Sequence, residues 1–384
     1  MLNIVADNAI PFVERFFSRI GELELLDGRQ ISADSLKNAD LLVCRTVTNI
    51  KDDLVAESGL RFIASPTSGL DHIDQASLCT RGIELCHAPG RNARSVSEYV
   101  LSALCVLADQ QAFNLLDKKV GIIGCGHVGS DLKKLLEIIG LECLVYDPLL
   151  QKESKQQQFC ELDDIKSCDV VSLHVPLTKS APHPTCRMIG EDFLSGVSDD
   201  LILINTSRGD VIDEAALLNH AIEKPGLSLV IDVWQDEPGI NTDLLKRAQI
   251  ATPHIAGYSI DAKYRSTRDV FQQICDLIDI KERMLEKEEV FPEVEQRKIS
   301  LSGQQDDLSA ISMAILTSYD VRSDAAALRR LLEDSVKDQD AYFAELRNNY
   351  PIRREFSSLQ VELIDAENSL TEKLQALGFP VNPV

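Results

Sequence analysis

The 384-residue sequence is short of positive charge: 39 Lys and Arg stand against 61 Asp and Glu, a formal net charge of −22. A surface with that balance repels nucleic acid and anionic lipid, so neither is an expected partner. Aromatics are scarce, at 5% with a single Trp, so the cores are expected to be mainly aliphatic within a hydrophobic fraction of 44%. No apolar run reaches the length of a membrane span. The opening stretch Met1–Asp7 alternates like a first strand and lacks the basic region and cleavage site of an export signal. The ten cysteines include no Cys-x-x-Cys pair, and no Cys/His cluster has ligand spacing, so no metal is expected. Cys44, Cys86, Cys105 and Cys143 sit in apolar contexts, which suits small buried hydrophobes in a reducing cytoplasm. An anionic substrate would be repelled as well. Any anion site therefore has to be built from local arginines in glycine- or threonine-rich loops.

Strand-like runs and helical patterns alternate through most of the chain, which predicts an α/β protein with parallel, covered sheets. The first series of strands reads as 2–6, 23–26, 41–44, 61–64 and 83–86, followed by a helix over about 95–108. A second series reads as 120–123, 142–146, 170–175, 201–205, 228–233 and 250–252, and a helical segment follows over about 259–280. The charged stretch 281–297, with Pro292, reads as a linker. Beyond it lie a strand at 299–301, helices near 308–319 and 325–332, a strand at 359–364 and a last helix, which together make a small α+β module.

The turn Gly124-Cys-Gly126-His127-Val128-Gly129 follows an apolar strand and opens a helical pattern. In that setting the first two glycines allow a tight turn and close backbone approach, and the third packs helix on strand. The helix N-terminus then receives a pyrophosphate. Asp147 ends the next strand, where a carboxylate accepts from a ribose hydroxyl and repels a 2′-phosphate, so NAD is expected over NADP.

Three further segments each place an ionisable side chain just beyond a buried strand: Asn205-Thr206-Ser207-Arg208-Gly209-Asp210, Asp232 to Glu237-Pro238, and Thr252-Pro253-His254 to Gly257-Tyr258. In a parallel sheet these loops build the site. Arg208 suits a bidentate hold on a substrate carboxylate, His254 suits proton transfer, and Glu237 suits orienting the imidazole. Taken alone, Glu237 also fits a solvated turn, and Arg208 fits a surface pair with Asp210.

These segments, with Pro66-Thr67-Ser68-Gly69-Leu70-Asp71-His72-Ile73-Asp74, resemble the D-2-hydroxyacid dehydrogenase family over about the first 285 residues. The resemblance implies two doubly wound parallel-sheet domains and a C-terminal α+β dimerisation domain. These are a discontinuous flavodoxin-like substrate domain (1–93 and 257–285), a Rossmann NAD domain (94–256) and a tail domain (286–384), with hinges at Asn92-Ala93 and near Ala256-Gly257. It implies Arg208, Glu237 and His254 as the catalytic residues. It places Gly124, Gly126, His127, Val128, Gly129, Asp147, Val175, Thr206, Ser207, Arg208, Asp232 and Gly257 at the NAD, Val175 through its backbone. It places Thr46, Thr67 and Tyr258 at the substrate. The tail stretches 319–324 and 346–359 resemble a branch that oxidises a phosphorylated four-carbon 2-hydroxy acid as a homodimer. For the phosphate, Arg45 and Arg347 are the candidate cations, with Arg347 expected to reach a partner's site. Other readings are a dehydrogenase for another acid such as 3-phosphoglycerate, or a corepressor-like NAD(H) sensor.

Overall fold

A computed structural model describes residues 1–153, 158–180, 182–291, 297–365 and 367–383. The chain divides into two compact units, Met1–Asn92 with Ser259–Glu295, and Ala93–Tyr258 with Gln296–Val384. Among the described residues no helix is long and apolar enough to cross a membrane.

The first unit holds a five-stranded sheet of β1 (Leu2–Asp7), β2 (Gly21–Leu26), β3 (Leu41–Val43), β4 (Phe62–Ser65) and β5 (Glu84–His87), in the order β2-β1-β3-β4-β5. Every pairing is parallel. β3 and β4 are buried throughout, as expected for central strands covered on both faces. One face packs Phe16, Phe17 and Phe271 of the returning helix Ile260–Leu277, and the other packs Leu36, Leu42 and Ile63. The stretch expected as a linker differs up to residue 291, and its residues 292–296 lie outside the described set. Val290 is buried, Phe291 stacks on Phe12, and the Tyr264 hydroxyl donates to Leu285 O at 2.7 Å. Met284, Leu285, Val290 and Phe291 supply apolar surface that the charged residues around them disguise in the sequence.

The second unit holds a six-stranded parallel sheet of β6 (Lys119–Ile123), β7 (Glu142–Tyr146), β8 (Val170–Leu173), β9 (Ile202–Asn205), β10 (Ser228–Ile231) and β11 (Ile250–Ala251), in the order β11-β10-β9-β8-β6-β7. The chain leaves β6 for β7 on one side and returns to β8 on the other. The loops after β6 and β8 therefore part at a switch point, where such sheets bind ligands. The buried helix Ala93–Gln111 covers one face.

The tail adds a three-stranded sheet, β12 (Arg297–Ser302), β13 (Leu359–Ile364) and β14 (Val381–Pro383), all parallel. Its residues enter both cores of the nucleotide sheet. Ala310, Ile311, Phe356 and Leu359 join the cluster of Leu104 and Leu135, and Leu328, Leu331 and Phe343 join that of Leu203 and Trp234. A buried side chain of this size contributes about 1.5–3 kcal/mol. The tail is therefore fused to the nucleotide sheet by its core.

Candidate active site

The glycine turn joins β6 to the helix His127–Ile139. Gly124 has a φ of 88°, and a side chain there would meet His174 O at 2.6 Å. A side chain at Gly129 would meet Gly124 O at 2.0 Å, so its absence lets the helix sit on the strand. At Gly126 nothing lies within 4 Å of where a Cβ would be, so a ligand can approach the backbone there. The first N–H groups of the helix have no intrahelical partner. His127 is exposed, Val128 is half-buried, and Val175 packs against Gly124. These residues fit a dinucleotide diphosphate.

Asp147 braces this turn. Its Oδ2 accepts from Cys125 N at 2.9 Å, and its Oδ1 accepts from Leu149 N at 3.2 Å and Leu150 N at 3.0 Å. A carboxylate has about four acceptor sites, so capacity remains for a ribose hydroxyl.

The loops after β9, β10 and β11 are tied together. The Asn205 side chain donates to Arg208 O at 2.9 Å and accepts from Ser207 N and Oγ at 3.0 and 2.8 Å, which fixes the turn carrying Thr206–Arg208. Arg208 Nη1 folds onto Ser207 O at 2.7 Å. Thr206 faces His174 at 3.5 Å, and His174 in turn meets Ser172 at 2.8 Å. Gly209 lies against the Trp234 carbonyl, and Gln235 Nε2 donates to Asp210 at 3.0 Å, so the Arg208 loop touches the Glu237 loop.

His254 Nδ1 meets Glu237 Oε2 at 2.8 Å, and Trp234 N donates to Glu237 Oε1 at 2.9 Å. Burial pushes the Glu237 carboxyl up. The charged form of His254 and its hydrogen bond, with Arg347 and the Trp234 N–H, outweigh that and hold it below the usual carboxylate range. His254 has a φ of 58°, unusual for a residue with a side chain, at a cost of about 1–3 kcal/mol. Asp232 maintains that conformation. Its carboxylate accepts from Ile255 N at 2.8 Å, Ala256 N at 3.0 Å and Thr252 Oγ1 at 2.6 Å, and Thr252 is joined to Tyr99 at 2.7 Å. Asp232 is thus a buried bracket for the His254 loop, and half-buried Gly257 and Tyr258 complete that loop.

Arg347 Nη2 donates to Tyr258 Oη at 3.1 Å and its Nη1 lies 3.9 Å from Glu237 Oε2, both in its own chain. The tail packs onto the nucleotide sheet of the same chain and brings Arg347 to these two groups in cis. The substrate candidates Arg45, Thr46 and Thr67 belong to the first unit. Arg45 Nε and Nη2 fork onto buried Asp7 at 2.7 and 3.1 Å, so its charge is largely balanced. Thr46 is exposed, and Thr67 Oγ1 donates to Gly69 O at 2.9 Å. The bracketing by Asn205 and the close packing of Gly209 escaped the sequence reading. The Arg-Gly-Asp order beside a strand end was the available signal for the glycine.

Residues 88–256 match the NAD-binding domain of D-isomer-specific 2-hydroxyacid dehydrogenases, and residues 290–378 match a domain of unknown function. The erythronate-4-phosphate dehydrogenase of Marinobacter nauticus is 39% identical, covering 98% of each chain. That of Psychromonas ingrahamii is 40% identical over 99% of this chain and 97% of its own. Among solved structures, the NAD⁺-bound 3-phosphoglycerate dehydrogenase of Entamoeba histolytica is 25% identical with a TM-score of 0.62, over 72% of this chain and 95% of the other. With the glycine turn and its open Gly126, these likenesses establish that the chain belongs to the D-isomer-specific 2-hydroxyacid dehydrogenases and is an NAD-dependent enzyme.

Proposed function

We propose that the enzyme oxidises 4-phospho-D-erythronate to 2-oxo-3-hydroxy-4-phosphobutanoate, a step toward pyridoxal 5′-phosphate, as a cytoplasmic homodimer joined through residues 286–384. The observation that carries the chemistry is the 2.8 Å contact of His254 with Glu237 in loops beside Arg208. The substrate rests on the names of relatives matched over nearly the whole chain.

In this reading the Arg208 guanidinium forks onto the substrate carboxylate and polarises carbon 2. Nδ1 of His254 is held by Glu237, so Nε2 is the nitrogen that takes the proton of the 2-hydroxyl. Glu237 steadies the imidazolium as it forms. When bound, the nicotinamide supplies the hydride acceptor. Gly124, Gly126, His127, Val128 and Gly129 hold the diphosphate, and Asp147 takes a ribose hydroxyl through its remaining acceptor site. Thr206, Ser207, Val175, Asp232 and Gly257 line the cofactor. Thr46, Thr67 and Tyr258 contact the substrate, and the Nη1 edge of Arg45, which takes no part in the Asp7 fork, meets the phosphate.

The test is steady-state turnover with NAD and 4-phosphoerythronate, 3-phosphoglycerate or erythronate. A preference for the first of about 10²-fold or more in kcat/KM is expected, since a site built for a phosphate strongly disfavours acids that lack or misplace it. Faster turnover of 3-phosphoglycerate overturns the substrate assignment. His254→Ala is expected to lower kcat by about 10²–10⁴-fold with NAD affinity retained.

A further inference from the structure

The helix Gln339–Asn348 of the tail places Phe343 in the core beneath the nucleotide sheet, with Tyr342 and Leu346 packed against that core. This anchoring sets the direction of the adjacent Arg347. Its guanidinium donates to Tyr258 Oη at 3.1 Å, lies 5.8 Å from the centre of the Tyr258 ring, and approaches Glu237 Oε2 at 3.9 Å. That oxygen is the one that holds His254 Nδ1. Tyr350, also from the tail, closes edge-on against Tyr258 at 5.7 Å. Arg347 Nε is buried with no hydrogen-bond partner among the described residues, and the side chain as a whole is 23% exposed.

We propose that Arg347 is a positioning residue of the acid–base pair: the C-terminal module delivers it in cis to bridge Tyr258 and Glu237, and so fixes the carboxylate that orients His254. The proposal rests on the reading of His254 and Glu237 as that pair. It gives the domain of unknown function a part in catalysis. Trp234 N–H fixes one oxygen of Glu237. His254 holds the other at 2.8 Å, and the Arg347 charge lies 3.9 Å from that same oxygen. A positioning role lowers kcat alike for phosphorylated and unphosphorylated acids, whereas a phosphate anchor raises KM for the phosphorylated acid alone.

The test compares kcat and KM for 4-phosphoerythronate and erythronate in full-length wild type, Arg347→Met, Arg347→Lys and Glu237→Gln/Arg347→Met. Arg347→Met is expected to lower kcat about tenfold with KM for both acids within about twofold, as for loss of a partner that orients a working ligand. Arg347→Lys keeps the charge but cannot direct two nitrogens at once toward Tyr258 and Glu237, and is expected to lose at least about threefold in kcat. In the Glu237→Gln background, replacing Arg347 is expected to change little further. Wild-type kcat in folded Arg347→Met overturns the proposal, as does a rise in KM confined to the phosphorylated acid. If Arg347→Met does not fold, wild-type kcat in Arg347→Lys overturns it. Undiminished turnover in His254→Ala defeats the reading of the pair itself, whatever Arg347 does.

Discussion

A single missing methyl group sets the position of Arg208. A Cβ on Gly209 would lie 2.0 Å from the carbonyl carbon and oxygen of Trp234 and 2.4 Å from Gln235 N. All three are backbone atoms, so no side chain can swing aside to make room. Gly209→Ala must therefore push the 205–210 turn away from the Glu237 loop and carry Arg208 with it. On the proposed role of Arg208, a displacement of about 1 Å costs roughly 10²-fold, so kcat/KM is expected to fall by that order with NAD affinity nearly unchanged. Fluorescence titration with NADH beside steady-state kinetics checks it. An alanine variant with wild-type kcat/KM would mean that the placement of Arg208 does not limit turnover. The placement of Arg208, Glu237 and His254 was legible because each follows a buried strand of a parallel sheet, where chain direction alone puts the three loops at one end of the sheet. The in-cis position of Arg347 was not, because it depends on which face of a tail helix the core receives. Asp147 and Asp232 were expected at the cofactor, and in the fold both accept from backbone N–H groups that only a folded turn presents.

At the scale of elements, one buried arginine joins three pieces of the second unit. Arg353, just before β13, donates from Nη1 to Ala256 O at 3.0 Å and from Nη2 to Ser95 O at 2.6 Å, and its guanidinium lies 3.6 Å from the centre of the Tyr319 ring. Ser95 is near the start of the helix Ala93–Gln111, and Ala256 belongs to the His254 loop. Arg353→Met would remove the donors to both carbonyls and the cation from the face of the Tyr319 ring. Two buried hydrogen bonds from a charged group are together worth about 3–5 kcal/mol, so a marked fall in the urea midpoint is expected. Arg353→Lys is not expected to restore it, since an ammonium cannot fork to two carbonyls while stacking on a ring. A lysine variant with the wild-type midpoint would refute the clamp. The strands of both large sheets were legible as near-continuous apolar runs, which is how strands covered on both faces read. Less of the tail was. The helix Gln339–Asn348 carries Asp340, Glu345 and Arg347 among few apolar residues, and β14 is three residues ending in a proline. The packing of 284–291 rests on four apolar side chains scattered among charges.

The whole molecule carries a charge of −22, so raising the pH adds to an existing excess of like charge. A buried acid works in the same direction. Glu98, on the helix Ala93–Gln111, accepts through Oε1 from Arg94 Nε at 3.1 Å and Phe356 N at 3.0 Å, while its Oε2 is buried with no partner among the described residues. Burial, reinforced by Glu355, pushes its carboxyl up to about 8 against the pull of Arg94 and Arg353. The unfolded chain releases that proton near pH 4.3, at about the ordinary glutamate value. Between these limits the folded state holds a proton that the unfolded state has lost. The stabilisation is therefore complete below about pH 4 and drains away as pH rises to about 8. Glu98→Gln keeps an acceptor at Oε1 and removes the titration. Its urea midpoint is expected to be close to wild type near pH 5, and to correspond to about 1–3 kcal/mol more stability than wild type at pH 8.5. Because both proteins share the same surface, the difference between them isolates Glu98 from the general repulsion. A difference that stays constant across that range would mean that Arg94 and Arg353 keep Glu98 ionised throughout, and that the slope belongs to the surface alone.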